Sequence, residues 1–437
     1  MKQLLKYKKS TATVALLFVA TFVGALLNFG VQVLLARTLS VEQFGTFASA
    51  LAIASLMVPL AGFGLEGYWL SIFGREGQAA KRWMPPSIRF VFISAALVLS
   101  GISAWAWLGP HNVETTIILL ILTIFIIGQV TVVLASAKYQ LEGRHGWLAI
   151  WQLLPNLLRF LGVLAVIFLM GRQVFTATSA SIIFALVGVI LLGLGGYQLV
   201  RFVHGKLVLE GHSEMSLKPL KHQDELGMFQ VLAGTWPFGL AGIFYLIYFQ
   251  SDIILIKYLI GDSAAGIYSV AFVVMSAIYL FPSVLYQKFL LPRLHRWAHH
   301  DKLRLINAYR IGNVGMSGLG IIAMVMLWLL APLLVPFIFG EAYDSAVTLL
   351  MILAAAIPFR FFASSAGAML VTGDGIKIKV KLMGLAAGLN VILNLAFIPK
   401  FGIEGAAIAT VITELFLAIM YQFAFKRYLI TDKGFLD

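Results

Sequence analysis

The 437-residue chain has no cysteine, only 12% charged residues, and just 19 acidic side chains against 32 Lys and Arg. Without cysteine there is neither a disulfide nor a thiolate metal site. So low a charge content, with a mean hydropathy of +0.93, excludes a soluble globular chain. No glycine-rich loop runs into a Lys-Ser or Lys-Thr pair, which excludes an internal P-loop ATPase. No polar interval is long enough for a separate domain outside a membrane; the longest covers residues 201–228.

What the chain does have is twelve long apolar runs: 11–36, 44–72, 90–108, 115–137, 147–171, 175–200, 231–256, 264–286, 311–339, 346–372, 382–398 and 402–425. A bilayer core of ~30 Å takes about 20 helical residues to cross, so each run is read as a transmembrane helix. The first run follows a basic stretch, but it is far longer than a signal-peptide core and has no convincing cleavage site, so it is expected to stay in the mature protein.

The basic residues alternate from gap to gap. One side collects Lys2, Lys6, Lys8 and Lys9, then Arg75, Lys81, Arg82 and Arg89, then Lys138 and Arg144. It continues with Arg201, Lys206, Lys218 and Lys221, the run from Lys288 to Arg310, Lys377, Lys379 and Lys381, and finally Lys426, Arg427 and Lys433. The other side has Arg37, Arg172, Lys257 and Lys400 beside Glu42, Glu114, Asp262, Glu341, Asp344 and Glu404. The positive-inside rule then places both termini in the cytoplasm. The net charge of +13 sits on one face, where it sets topology and meets anionic lipid headgroups. No nucleic-acid partner is therefore expected.

The polar interval after the sixth run divides the chain into a half over 1–200, a linker over 201–230 and a half over 231–437. Two faint echoes support a repeat. Superposing Gly45 on Gly266 also pairs Phe47 with Tyr268 and Leu39 with Ile260, and Gln140-Leu-Glu-Gly143 answers Leu370-Val-Thr-Gly373. Halves with an even number of spans have the same orientation. The expected fold class is therefore all-α integral membrane: twelve transmembrane helices in two six-helix parallel repeats around a central cavity.

Ionisable side chains in hydrocarbon cost roughly 2.5–3.5 kcal/mol each at a helix centre, yet Glu66, Arg159, Asp252, Arg360 and Glu414 interrupt the spans. Glu66 lies near enough to an interface that pairing with a neighbouring helix accounts for it equally well. At about 100° per residue, Gln152, Asn156 and Arg159 share a face of span five, and Tyr245, Tyr248 and Asp252 a face of span seven. Thr21, Asn28 and Gln32 form a stripe on span one, with Gly24 at its edge, while Thr410, Glu414 and Tyr421 align on span twelve. Arg360 follows Pro358, which removes a backbone hydrogen bond, and has Ser364 one turn on. Asn390 and Asn394 lie one turn apart in span eleven. Ser269, Ser276 and Ser283 recur every seven residues, and close helix packing is the preferred reading of that row. For spans one and seven, hydrogen bonding between helices and a water-filled cavity both remain open.

No catalytic constellation competes with these faces. The histidines (His111, His145, His204, His212, His222, His295, His299 and His300) lie in loops or at span ends. His299-His300 has no carboxylate or cysteine at useful spacing, so a solvated loop is preferred to a metal site. An enzyme acting on lipid-linked sugars would show a cluster of acids or histidines at one membrane face, or a large soluble loop; the sequence has neither.

Several motifs carry a family resemblance. They are Leu34-Leu-Ala-Arg-Thr-Leu-Ser-Val-Glu-Gln-Phe-Gly45, Gly62-Phe-Gly-Leu65, Ser251-Asp-Ile-Ile-Leu255 through Gly266-Ile-Tyr268, and Leu291-Pro-Arg-Leu294. Further along come Phe339-Gly-Glu-Ala-Tyr343, Asn390-Val-Ile-Leu-Asn394 and Ile398-Pro-Lys-Phe-Gly-Ile-Glu-Gly-Ala-Ala407. In this order they resemble the Wzx-type polysaccharide transporters of the multidrug/oligosaccharidyl-lipid/polysaccharide exporter superfamily. The resemblance implies a flippase that moves a polyprenyl-diphosphate-linked oligosaccharide from the cytoplasmic to the external leaflet of the bacterial inner membrane. It also implies that spans one and seven wall a cavity. On that reading Arg159 and Arg360 meet the diphosphate, and Asn28, Gln32, Tyr245 and Tyr248 meet the sugar. Asp252 or Glu414 takes a coupling ion, H+ or Na+, and no other cofactor is expected. Expected partners are the lipid-linked oligosaccharide, membrane lipids and a polysaccharide polymerase. A multidrug or cation antiporter of the same superfamily is the alternative, and the two mid-span arginines weigh against it.

Overall fold

A computed structural model describes residues 2–203, 209, 227–290, 294, 297, 301–370 and 375–431. Most of the linker over 201–230 lies outside these residues, as do His204, His212, His222, His295, His299, His300, positions 291–293 and positions 371–374 of the second echo. Among the described residues every regular element is helical. The first half of the chain forms α1 (Lys2–Thr38), α2 (Val41–Gly62), α3 (Leu65–Glu76), a 3-10 stretch (Gly77–Trp83), α4 (Met84–Leu108), α5 (Val113–Leu141), α6 (His145–Met170) and α7 (Ala177–Val203). The second forms α8 (Met228–Leu259), α9 (Asp262–Ser283), a π-helical stretch (Val284–Leu290), α10 (Lys302–Phe339), α11 (Ser345–Ala354), α12 (Ala356–Met369) and α13 (Gly375–Thr431).

Nine described helices are long and apolar enough to cross a membrane, and the pair α11 and α12, bent by 40°, adds a tenth. Two of the nine run for 68 residues (Val41–Leu108) and 52 residues (Ile376–Arg427), more than one crossing needs. The first is broken at the 3-10 stretch. The second turns at Gly402, whose φ of 63° and ψ of −144° interrupt the helix in a region that glycine enters without a steric penalty. Counted as two crossings each, they bring the total to the twelve runs of the sequence. Leu108, Phe168 and Phe229 are almost wholly exposed. Such outward apolar side chains suit a lipid solvent, in which helices satisfy their own backbone groups.

The kink before Arg360 has a specific origin. Pro358 sits in the first turn of α12, and a proline ring clashes with the carbonyl four residues earlier, here Ala354. The helix breaks between α11 and α12 at Ala355. The perturbation thus falls one turn before the proline, and Arg360 itself is held in regular helix.

The chain divides into two compact units, one of residues 1–28 and 50–246, the other of residues 29–49 and 247–437. In the first, α5, α6 and α7 pack through Ala135, Tyr139, Leu148, Trp151, Val187 and Leu191. The Trp151 indole N–H donates to the Val132 carbonyl at 3.1 Å. Asn112 caps α5 by accepting from the Thr115 N–H at 2.8 Å. In the second unit, α2 and α9 meet backbone to backbone: a Cβ on Gly45 would fall 2.7 Å from the Gly266 nitrogen. Arg37 donates from Nε to the Ile338 carbonyl at 2.6 Å and from Nη2 to that of Phe337. These are end carbonyls of α10, which a cation complements.

Candidate functional site

The second unit stacks two polar centres along α8 and the second arm of α13. Tyr248 and Asp252 are one turn apart on α8, and Thr410 and Glu414 one turn apart on α13. Residues in the same turn on facing helices come together, so Asp252 meets Thr410 and Tyr248 meets Glu414.

The first centre surrounds Asp252, which is 4% exposed. Its Oδ2 accepts from the Thr410 hydroxyl at 2.6 Å and the Tyr268 hydroxyl at 2.7 Å. Its Oδ1 accepts from the Asn394 amide at 2.6 Å. The same Asn394 nitrogen lies 2.9 Å from the Asn390 carbonyl oxygen and 3.0 Å from Asn390 Oδ1, and Ser251 donates to that Oδ1 at 2.7 Å. Asp252 forms no ion pair among the described residues. Asn394 Oδ1 is buried with no hydrogen-bond partner among the described residues. The Asn394 nitrogen thus has three oxygens around it and an orphaned oxygen on the same amide; turning that amide would gather four oxygens, a donor set of the type hard cations take.

The second centre is the ion pair of Arg360 Nη1 and Glu414 Oε1 at 3.2 Å, with side chains 18% and 2% exposed. The guanidinium lies 5.7 Å from the Tyr248 ring centre and 5.3 Å from that of Tyr279, within range of a cation–π attraction. Glu414 Oε2 and the Tyr248 hydroxyl are buried facing each other, and the Tyr279 hydroxyl is buried with no hydrogen-bond partner among the described residues. Ser364 is spent on its own helix, donating to the Arg360 carbonyl at 2.7 Å.

Arg159 belongs to the first unit. It is 8% exposed, and its guanidinium lies against two neighbouring rings, Phe125 at 5.1 Å and Phe184 at 4.8 Å. Nε and Nη2 are buried without a hydrogen bond, and no carboxylate pairs with it among the described residues. The aromatic faces of α5 and α7 are its visible compensation, each worth up to about 2 kcal/mol when desolvated.

The remaining expected residues are less gathered. Asn28 is exposed and Gln32 buried, and neither side chain makes a hydrogen bond to a described residue. Tyr245 is 40% exposed, whereas Tyr248, one turn on, is buried beside Glu414. Gln140 approaches Glu66 at 3.5 Å, linking α5 and α3. Ser269 and Ser276 donate to their own helix carbonyls at 2.6 and 2.8 Å, in keeping with a packing row.

Sequence reasoning missed three side chains. Tyr268 and Tyr279, eleven positions apart, share a face of α9, a spacing overlooked beside the serine row. Lys379 reads in the sequence as a loop charge, and it lies within α13. Its neighbours Lys377 and Lys381 are exposed while it is partly buried, as expected when the middle of three alternate positions faces the opposite side of a helix.

These centres, carried on long apolar helices broken at Ala355 and Gly402, belong to a polytopic helical membrane protein. Residues 10–297 match the family model for polysaccharide biosynthesis proteins, and the chain belongs to that family. No match is found among curated proteins. A structure of the lipid II flippase MurJ in an inward closed conformation superposes with a TM-score of 0.73 at 16% identity, over 94% of this chain and 87% of that one. A transporter of the superfamily from Pyrococcus furiosus Vc1, described as having a binding pocket of reverse polarity, gives 0.62 at 15% identity, over 95% of each chain. An inward-facing multidrug transporter of the same superfamily gives 0.66 at 14% identity, over 96% of this chain and 99% of that one. At such identities the likeness establishes the fold, and it agrees with the resemblance carried by the sequence motifs.

Proposed function

We propose that the chain flips a polyprenyl-diphosphate-linked oligosaccharide from the cytoplasmic to the external leaflet of a bacterial inner membrane, supplying cell-surface polysaccharide synthesis. The observation that carries this reading is Arg360, a guanidinium set within the spans, ringed by Tyr248 and Tyr279 and still 18% exposed on its side chain. A permanently charged planar fork suits phosphate oxygens. The sugar headgroup cannot cross hydrocarbon, whereas the prenyl tail can stay in lipid, so the protein has to provide a polar route for the headgroup alone. Arg159 serves the diphosphate in the first unit, and Asn28, Gln32, Tyr245 and Tyr248 serve the sugar. Alternating access comes from rocking of the halves 1–200 and 231–437 against each other, with both termini cytoplasmic. The chain acts as a transporter and catalyses no reaction.

The Asp252 centre takes the coupling ion. Its oxygen donors favour Na+, and a proton on Asp252 is the other occupant; Glu414 is the second titratable group of the same unit. A charge moving inward is worth about 2.3 kcal/mol per 100 mV, enough to bias the cycle. A polymerase that consumes the flipped product outside would pull in the same direction. The carboxylates and tyrosines of the second unit would equally suit a cation antiporter, but the buried Arg159, without a carboxylate partner among the described residues, disfavours a cationic substrate.

The test is genetic. Deleting the gene should leave lipid-linked oligosaccharide on the cytoplasmic side and stop surface glycan, and the wild-type gene should restore export. Unchanged surface glycan in the deletion strain, together with raised sensitivity to cationic drugs, would favour the antiporter.

A further inference from the structure

We propose that Glu414 is the built-in counter-ion of a diphosphate-binding centre, displaced when the substrate's phosphates arrive, and that Lys379 is that centre's second cation. The inference rests on the reading of Arg360 given above.

The centre lies inside the second unit. A Cβ on the buried Gly367 of α12 would fall 3.0 Å from the Tyr421 ring and 4.0 Å from Lys379 Nζ, so the missing side chain leaves room for both. Gly367 is two turns from Arg360 on the same helix, and Lys379 is close enough to Arg360 for their like charges to repel. Lys379 has no ion pair among the described residues. Of these two cations only Arg360 meets a carboxylate among the described residues, Glu414, whose Oε1 it bonds. The groups facing Glu414 are Tyr248 on α8, Tyr279 on α9, Arg360 on α12 and Tyr421 on its own helix.

The charge count follows. Empty, the centre holds two positive charges and one negative, and the Arg360–Glu414 pair spares the protein a wholly unpaired guanidinium among the spans. A diphosphate diester brings two negative charges, one for each cation. Glu414 is then surplus, a third negative charge in a low-dielectric site, and binding balances when it takes a proton from water. Headgroup binding is thus coupled to protonation of Glu414, and departure of the headgroup returns the proton and restores the pair. The proton travels outward with the headgroup, so Glu414 carries no cation inward, and a coupling ion enters at Asp252.

The probe is citronellyl-diphospho-N-acetylglucosamine, a short soluble diphosphate diester, titrated calorimetrically into the full chain in detergent. Buffers of different ionisation enthalpy report the protons exchanged. Wild-type protein should take up about one proton per bound probe, with affinity falling about tenfold per pH unit while that uptake persists. Glu414→Gln should bind on the order of tenfold tighter with no uptake, and Lys379→Met should bind more weakly while keeping it. Wild-type binding without proton exchange overturns the inference, whether or not the Gln variant folds. Undiminished uptake in Glu414→Gln also overturns it, because Lys379 would then be the group that titrates. Failure of wild-type protein to bind, or binding indifferent to Arg360→Gln, overturns the reading of Arg360 and this inference with it; Arg360-dependent binding without a Glu414 effect removes only the inference.

Discussion

Asn394 donates a 2.6 Å hydrogen bond to Asp252 across 142 positions of sequence, joining α8 to the first arm of α13 at a buried carboxylate that no cation neutralises among the described residues. In proteoliposomes, wild-type flipping should accelerate under an inward Na+ or proton gradient. Asp252→Asn keeps the shape but cannot ionise, so it should be slow and insensitive to either gradient. A full gradient response in the variant would move the coupling site to Glu414.

Arg159 is held against the Phe125 and Phe184 rings with no carboxylate partner among the described residues. If it is there to meet a phosphate, Arg159→Met should leave the protein as stable as wild type or more so, because a buried unpaired charge is removed, while export falls to background. Arg159→Lys should retain partial export. Full export by the Met variant at matched protein levels would reduce Arg159 to a packing residue.

The Gly45–Gly266 contact makes a stability prediction. Gly266→Leu forces side-chain atoms into the α2 backbone and should cost about 1–3 kcal/mol, seen as a lower melting temperature in detergent. Gly74→Ala, an exposed helical position where a Cβ meets nothing within 4 Å, should leave stability unchanged or raise it by up to about 1 kcal/mol. Equal melting temperatures for the two variants would contradict this packing.

The crossings were legible in the sequence because hydropathy over twenty residues is a local signal. So were the polar faces of α8 and of the second arm of α13, which placed Tyr248, Asp252, Thr410 and Glu414 in the right sectors. Which face meets which was not legible: Asp252 finds Asn394 and Thr410, and Arg360 finds Glu414, only through tertiary packing. Gly45 and Gly266 were paired as equivalents in a repeat, and in the structure they touch. Pro358 marked a break but not its place, because its ring acts on the carbonyl four residues back. Lys379 was hidden by its company, since a run of alternating lysines at the start of a span reads as a loop.

Topology offers an independent check on the whole arrangement. Reporter fusions after Val200 and Phe425 should read as cytoplasmic, and fusions near Glu114 and Asp262 as external. An external reading after Val200 would require an odd number of preceding crossings and break the repeat.

Flipping itself is the most direct measurement. Purified protein would be reconstituted into liposomes carrying a polyprenyl-diphosphate-linked oligosaccharide in both leaflets, and the fraction open to an added glycan-modifying enzyme followed in time. Wild-type protein should expose the inner-leaflet pool, while Arg360→Gln liposomes should stall at the outer-leaflet half. Equal exposure with both proteins would show that Arg360 does not handle the headgroup, and no exposure above protein-free liposomes would contradict flipping outright.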